Sequence, residues 1–252
     1  MKRKGREYTV GLFCLMAVFF LSTACQKDHL FDCFKGTGNT ITEKRMLSGF
    51  TEIEMNDNVD VIVKPGADFE ITVEAGDKLI DGIITEKEGN RLFIRNENKC
   101  NWVRSFKNKF TVTVCMPEII KFESYGSGNV NFIDTIRTNE FQFDNSGGSG
   151  SFNFLMNVGS CRTNVHTGVG DVNYYGHIGV HYFYYNGNGP FNTLNCQSDI
   201  VFTENKGTND IKIFATKLLD AKSTYVGNIY YKGIPDSLRV REFDKGKIIR
   251  ID

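Results

Sequence analysis

"GSGNVNF", Gly126–Phe132, lies just past the middle of a 252-residue chain, and the sequence restates it three times downstream. "GSGSFNF" begins at Gly148, "GVGDVNY" at Gly168 and "GNGPFNT" at Gly187. With two weaker units behind them, apolar-x-apolar triplets start at Val130, Phe152, Val172, Phe191, Ile211 and Ile229, in steps of 22, 20, 19, 20 and 18. A strand advances about 3.3 Å per residue, so about 20 residues wrap once around a slender core and stack on the last coil at about 4.8 Å. That is a β-solenoid. The first and third triplet residues point inward as stacked columns and the middle residue points out. The outward column then reads Asn131, Asn153, Asn173, Asn192, Lys212, Tyr230, and stacked Asn side chains can hydrogen-bond along the axis. The glycines allow φ > 0 at each corner and leave room for the adjoining coil. After Gly189 the pattern decays, as terminal coils do when they cap a stack.

Upstream, Ile41 to Pro117 reads as an antiparallel meander. Val59, Val61 and Val63 alternate with polar residues, "KPGAD" supplies a turn, and Phe69, Ile71 and Val73 resume the alternation. "TEKEGNRLFI" is a hairpin turning at Gly89-Asn90, and "KFTVTVCMP" a further strand. The one helical candidate, Ala215 to Lys222, is too short to outweigh its surroundings. The expected fold is all-β: a right-handed, parallel β-helix-like solenoid of about six coils of ~20 residues, preceded by an antiparallel meander. The expected segments are 41–117 for the meander, 118–235 for the repeats and 236–252 for a C-terminal strand.

Lys2, Arg3, Lys4 and Arg6 precede an apolar run, Val10 to Leu21, followed by Ser22, Thr23, Ala24 and Cys25. The run is shorter than the roughly 20 residues a permanent span needs, so 1–24 reads as a signal peptide. Cys25 resembles the lipidated cysteine of a bacterial lipobox, although Ser22 stands where Leu or Val is usual; cleavage after Ala24 by ordinary signal peptidase is the alternative. Residues 25–40 are then a lipidated N-terminus and tether. Gln26, not Asp, follows the cysteine, which by the same resemblance implies the outer membrane, on its periplasmic or surface face.

Removing residues 1–24 takes away four basic residues and one acidic, leaving 26 and 29, about −3 net. No Lys/Arg block stands out, so a nucleic-acid partner has no electrostatic footprint. The five remaining cysteines, Cys33, Cys100, Cys115, Cys161 and Cys196, are odd in number. Cys115, Cys161 and Cys196 sit in strand-like stretches as small apolar residues. Cys33 and Cys100 lie in polar segments and are the candidate disulfide.

Catalytic and cofactor signals are weak. "GSGNVNF" lacks the third glycine of a dinucleotide fingerprint and leads into a strand, leaving no helix N-terminus for a pyrophosphate. The position after the second glycine is Asn129, Ser151, Asp171 and Pro190, one carboxylate where calcium wants six to eight oxygens. His177 and His181 share a face on a straight strand but stand about 13 Å apart, with His166 a partial coil earlier, so no metal is expected. No acidic column recurs at the repeat period for glycoside chemistry, and no nucleophile elbow is present. "HYFYYNGNGPF", His181–Phe191, is the most aromatic stretch; either Phe183 and Tyr185 or Tyr182 and Tyr184 fill the interior, and the other pair can stack on sugar rings. "DTI" at Asp134 and "DSL" at Asp236 resemble a bacterial O-glycosylation acceptor, making Thr135 and Ser237 candidates.

Phe50, Ile53, Val59 and Val61 ahead of a strand ending in Met116-Pro117, then recurrent Gly-Ser-Gly-x-apolar units closed by "YYKGIP", Tyr230–Pro235, resemble the auto-transporter adhesin "head GIN" domain family. The resemblance spans roughly Arg45 to Pro235 and extends the domain over 41–252. It implies a solenoid-like all-β fold and an adhesive or surface role, and brings no catalytic residues. The expectation is a non-enzymatic envelope lipoprotein without cofactor, binding a glycan or surface protein through Asn131, Asn153, Asn173, Asn192, Tyr182 and Tyr184. The alternatives are a glycan-active enzyme and a structural component that self-associates through its end coils.

Overall fold

The computed structural model describes residues 36–99 and 109–252. The leader, Cys25 and the Cys33–Cys100 pair lie outside the described residues. In chain order the strands are β1 (Thr40–Arg45), β2 (Glu52–Met55), β3 (Asp60–Pro65), β4 (Glu70–Gly76), β5 (Ile83–Glu88), β6 (Arg91–Asn96) and β7 (Thr111–Met116). Then come β8 (Lys121–Ser124), β9 (Val130–Phe132), β10 (Glu140–Ser146), β11 (Ser151–Thr167), β12 (Asp171–Tyr185) and β13 (Phe191–Asn205). β14 (Ile211–Ser223), β15 (Ile229–Lys232), β16 (Ser237–Glu242) and β17 (Ile248–Arg250) complete the chain. The "ATKLLDAK" stretch lies in β14 and is extended. Together the strands curl into a β-solenoid of about six turns.

The long strands β11 and β12 each change buried parity once. In β11 the buried residues run Phe152, Phe154, Met156, Val158 and then change parity to Cys161, Thr163, Val165. The parity change marks a corner, so one coil contributes to two faces. The first face holds β9, the leading halves of β11 to β14, then β15 and β17; the second holds β8, β10, the trailing halves and β16. The predicted triplets stand in a single register: Val130, Phe152, Val172, Phe191, Ile211 and Ile229 are successive parallel neighbours. All six are buried, as are the third residues Phe132, Phe154, Tyr174, Thr193, Ile213 and Tyr231.

Side chains from the two faces meet in one aromatic core. Phe154 of the first face lies 4.8 Å from Phe143 of the second, centroid to centroid, and 4.9 Å from Tyr174 in the next coil. Phe183 and Phe191 stack across the core at 3.8 Å. In the aromatic stretch Phe183 and Tyr185 therefore fill the interior, while Tyr182 and Tyr184 face out.

The second glycine of each Gly-x-Gly unit has a shared reason. A Cβ on Gly150 would collide with the carbonyl oxygen of Gly128, and one on Gly189 with that of Gly170. These glycines form a column in which coil backbones approach too closely for any side chain. Positive φ matters at fewer sites, among them Gly176 in the leading half of β12, with φ 111°.

The N-terminal half departs from the expected meander. Antiparallel pairing is present in β1–β4, β4–β7 and β5–β6, the last turning at Gly89-Asn90 as expected. Yet β3 and β4, expected as a hairpin, do not pair; both flank β7, β3 in parallel. Moreover β2 lies between β6 and β8, and β3 between β7 and β9, all parallel. The solenoid thus begins at Glu52, not at 118, and its coils stack out of chain order. Period-two alternation is the same in parallel and antiparallel strands, so the sequence pattern does not separate them. The antiparallel strands β1, β4 and β5 close the N-terminal end over buried Leu79, Ile80, Ile83 and Phe110. At the other end the 236–252 segment forms two strands, β16 on β14 and β17 on β15, each paired on one side only among the described residues.

Candidate binding face

Outward residues fall on two faces with the core between them. On the first, Asn131, Asn153, Asn173 and Asn192 stand in register, half-buried. One rung of the expected ladder forms, from Asn153 Nδ2 to Asn131 Oδ1 at 2.9 Å. Above it the amides turn to their own strands: Asn173 donates to Asp171 at 3.1 Å, and Asn192 accepts from the Leu194 amide at 3.0 Å. Tyr182 and Tyr184 belong to the second face. The six residues expected as one binding face are therefore not brought together; a flat partner meets the asparagines or the tyrosines.

The second face carries two outward columns. One runs Glu52, Lys121, Gln142, Arg162, Tyr182, Phe202, Asp220; the other Glu54, Glu123, Asp144, Asn164, Tyr184, Glu204, Lys222. Towards the N-terminal end Arg91 binds Glu52 at 2.8 Å, Glu54 at 2.9 Å and also Glu123, while Lys121 reaches Glu123 at 2.9 Å. Burial alone would raise the Glu52 pKa; hydrogen bonds from Arg91 and Asn90 override it and hold the carboxyl below its ordinary value. Burial likewise works against the Lys121 charge, and Glu123 and Asp144 reverse it, raising that pKa. Glu54, Glu123 and Asp144 are an acidic column that period reading misses, because β2 and β8 are neighbours only through the out-of-order stack.

Tyr182 and Phe202 stack at 5.3 Å with planes 10° apart, and the Arg162 guanidinium lies 5.2 Å over the outer face of Tyr182. Lys206 covers Tyr184 at 5.4 Å. Ring faces are thus partly occupied by cations and neighbouring rings, and ring edges and phenol groups face solvent. Arg162 and Tyr182 line two shallow grooves at once. One, of about 260 Å³, continues past Phe202, Glu204, Asp220, Lys222 and Arg241; the other, of about 490 Å³, runs past Gln142, Lys121, Glu140 and Glu52.

The histidines are separated by the same corner. His181 points inward and is fully buried, with Nε2 2.9 Å from Thr163 Oγ1, which is also 2.8 Å from the Tyr174 hydroxyl. Burial depresses its pKa to about 3 and pushes the neighbouring Cys161 thiol up to about 12, so both are neutral. His177 stays outward beside Asp199 at 3.3 Å, and His166 is exposed. Among the described residues no group of three or more His, Cys, Asp or Glu side chains is placed to hold a metal. The described carboxyls with shifted pKa values, Glu52, Glu70, Asp199 and Glu242, are all lowered, the opposite of a poised general acid. Cys161 and Cys196 are buried free thiols and Cys115 is half-buried. Thr135 lies in the β9–β10 connection, half-buried, its amide bonded to Asp134 at 2.6 Å; Ser237 opens β16, exposed.

Three solved structures share this fold. A "putative adhesin" from Bacteroides fragilis NCTC 9343 superposes with a TM-score of 0.76 at 22% identity, covering 84% of this chain and 97% of that one. A "putative lipid binding protein" from Parabacteroides distasonis ATCC 8503 gives 0.64 at 19% identity, and a "putative adhesin" from the same organism 0.61 at 17%; each covers 86% of this chain and 98% of its own. No curated protein matches. The family model "Putative auto-transporter adhesin, head GIN domain" matches residues 49–235, from the turn before β2 to the turn before β16. The chain belongs to that family.

Proposed function

We propose that the protein is a non-enzymatic binding module of the cell envelope, anchored to the outer membrane by lipid on Cys25, that meets a glycan or protein partner with its second face. One observation carries the choice of face: Arg162 and Tyr182 form a ridge between two shallow grooves lined by side chains of both charge signs. A wide, shallow, mixed surface suits a partner recognised through many modest polar and aromatic contacts. Aromatic and Arg residues are also the types that dominate contact energies. The asparagine face is less suited, since its amides largely satisfy one another and their own strands. The family's adhesin designation fits a surface role.

A glycan and matrix-protein array probed with the chain from Gln26 onward tests the reading. Binding to a ligand class that weakens at least about tenfold in Arg162→Ala and Tyr182→Ala supports it; binding that ignores both substitutions contradicts the choice of face. The anchor is checked by metabolic labelling with palmitate, which wild type incorporates and Cys25→Ala does not.

A further inference from the structure

Charge on the second face is unevenly spent. In the larger groove Glu52 is held by Arg91, and Lys121 lies 2.9 Å from Glu123 and 3.5 Å from Asp144. Glu140 in the same groove has no ion-pair partner among the described residues. In the smaller groove the balance reverses. Lys206 and Lys222 share the carboxylate of Glu204, at 3.5 and 3.1 Å, and Arg239 and Arg241 share that of Asp220. Arg162 stands between the grooves with no carboxylate in ion-pair reach among the described residues. Asp144, on the neighbouring strand, is already taken by Asn164 at 2.7 Å, Gln142 at 2.5 Å and Lys121, with the His166 ring at 3.9 Å. The Arg162 guanidinium rests over the Tyr182 ring instead. That contact holds the cation in place and spends none of its N–H donors.

Taking the second face as the binding face, we infer that its partner is a glycan bearing one carboxylate, as a uronic or sialic acid sugar does. The carboxylate sits on Arg162 at the mouth of the smaller groove, and neutral sugars run across the ridge into the larger one. A planar guanidinium fork matches a carboxylate through two parallel N–H···O bonds. Surplus lysine and arginine charge in the smaller groove favours the same end of the ligand. The larger groove takes no second anion, because Glu140 is uncompensated and Glu52, Glu54, Glu123 and Asp144 share Arg91 and Lys121. A polyanion meets like charge there. A protein partner suits the face less well. Its central strands are paired on both sides, with no edge to extend. Both grooves are shallow, with no deep apolar seat for an anchoring side chain among the described residues.

Isothermal titration of the chain from Gln26 onward with matched sugars tests this. The probes are sialyllactose and a trisaccharide ending in glucuronic acid, each beside its carboxyl-reduced counterpart, with a heparin fragment and an Asp/Glu-rich peptide as further arms. At least one acidic trisaccharide is expected to bind at least about tenfold more tightly than its reduced counterpart. Arg162→Gln, at an exposed position, should abolish that preference with an unchanged β-sheet circular dichroism spectrum. Arg162→Lys, which keeps the charge and loses the fork, should recover only part of it. Equal binding of acidic and reduced sugars overturns the inference, as does a preference that survives Arg162→Gln. Tighter binding of the heparin fragment or the peptide overturns it too, and so does a failure of every arm to bind. The choice of face is judged separately: binding without carboxylate preference that is lost in Tyr182→Ala leaves it standing, and binding that ignores Tyr182→Ala removes it.

Discussion

Side chains in this protein are decided by what the neighbouring coil allows. Gly150 faces the Gly128 carbonyl with no room for a methyl group, so Gly150→Ala is expected to lower stability by about 1–3 kcal/mol. Its urea midpoint will fall while a control Gly89→Ala, at an open hairpin turn of φ 60°, loses only about 1 kcal/mol of turn preference. His181 makes stability depend on pH. Its native pKa near 3 lies far below the ordinary 6.5. Between those values the unfolded chain takes a proton that the native state refuses, so stability rises with pH from about 3 to 6.5 and is flat above. The melting temperature should therefore drop as pH falls from 7 to 4, and less steeply in His181→Gln, which keeps a polar contact for Thr163 but does not titrate. The inward columns were legible in the sequence because Val130, Phe152 and Val172 recur at one period. His181 was not, since the corner between Ile178 and His181 flips the parity that placed it beside His177.

Strands behave as members of a stack and not of hairpins. β2 and β3 come first among the coils in the chain but second in space, covered on both sides. Hydrogen exchange should accordingly protect them as strongly as the middle of β12, whereas β16 and β17 exchange first. Exchange of β2 and β3 as fast as β16 would contradict the out-of-order stack. Arg91 ties three carboxylates from β2 and β8 together. Its replacement in Arg91→Met leaves like charges adjacent and partly buried, a loss of roughly 2 kcal/mol that denaturant titration at neutral pH will read. The sequence showed the alternation of these strands clearly. It did not show their partners, because "KPGAD" between Val63 and Phe69 suits a crossing to the far side of β7 as well as a tight hairpin.

At the scale of the molecule, one aromatic core separates two outward surfaces of different character. The asparagine column that the repeat pointed to is real and in register, but it is largely self-satisfied and lies opposite Tyr182 and Tyr184. The repeat period places the columns; only the corners, which the sequence does not angle, decide which columns share a face. The proposed binding is assigned to the second surface, where Arg162 and Tyr182 stand between two grooves and Phe202 extends the ridge. Isothermal titration of the chain with a ligand found on the array compares the two surfaces directly. Arg162→Ala/Tyr182→Ala is expected to weaken binding at least about tenfold and Asn153→Ala/Asn173→Ala to leave it within about twofold. The reverse order, with the asparagine pair abolishing binding and the ridge pair sparing it, would contradict the choice of face.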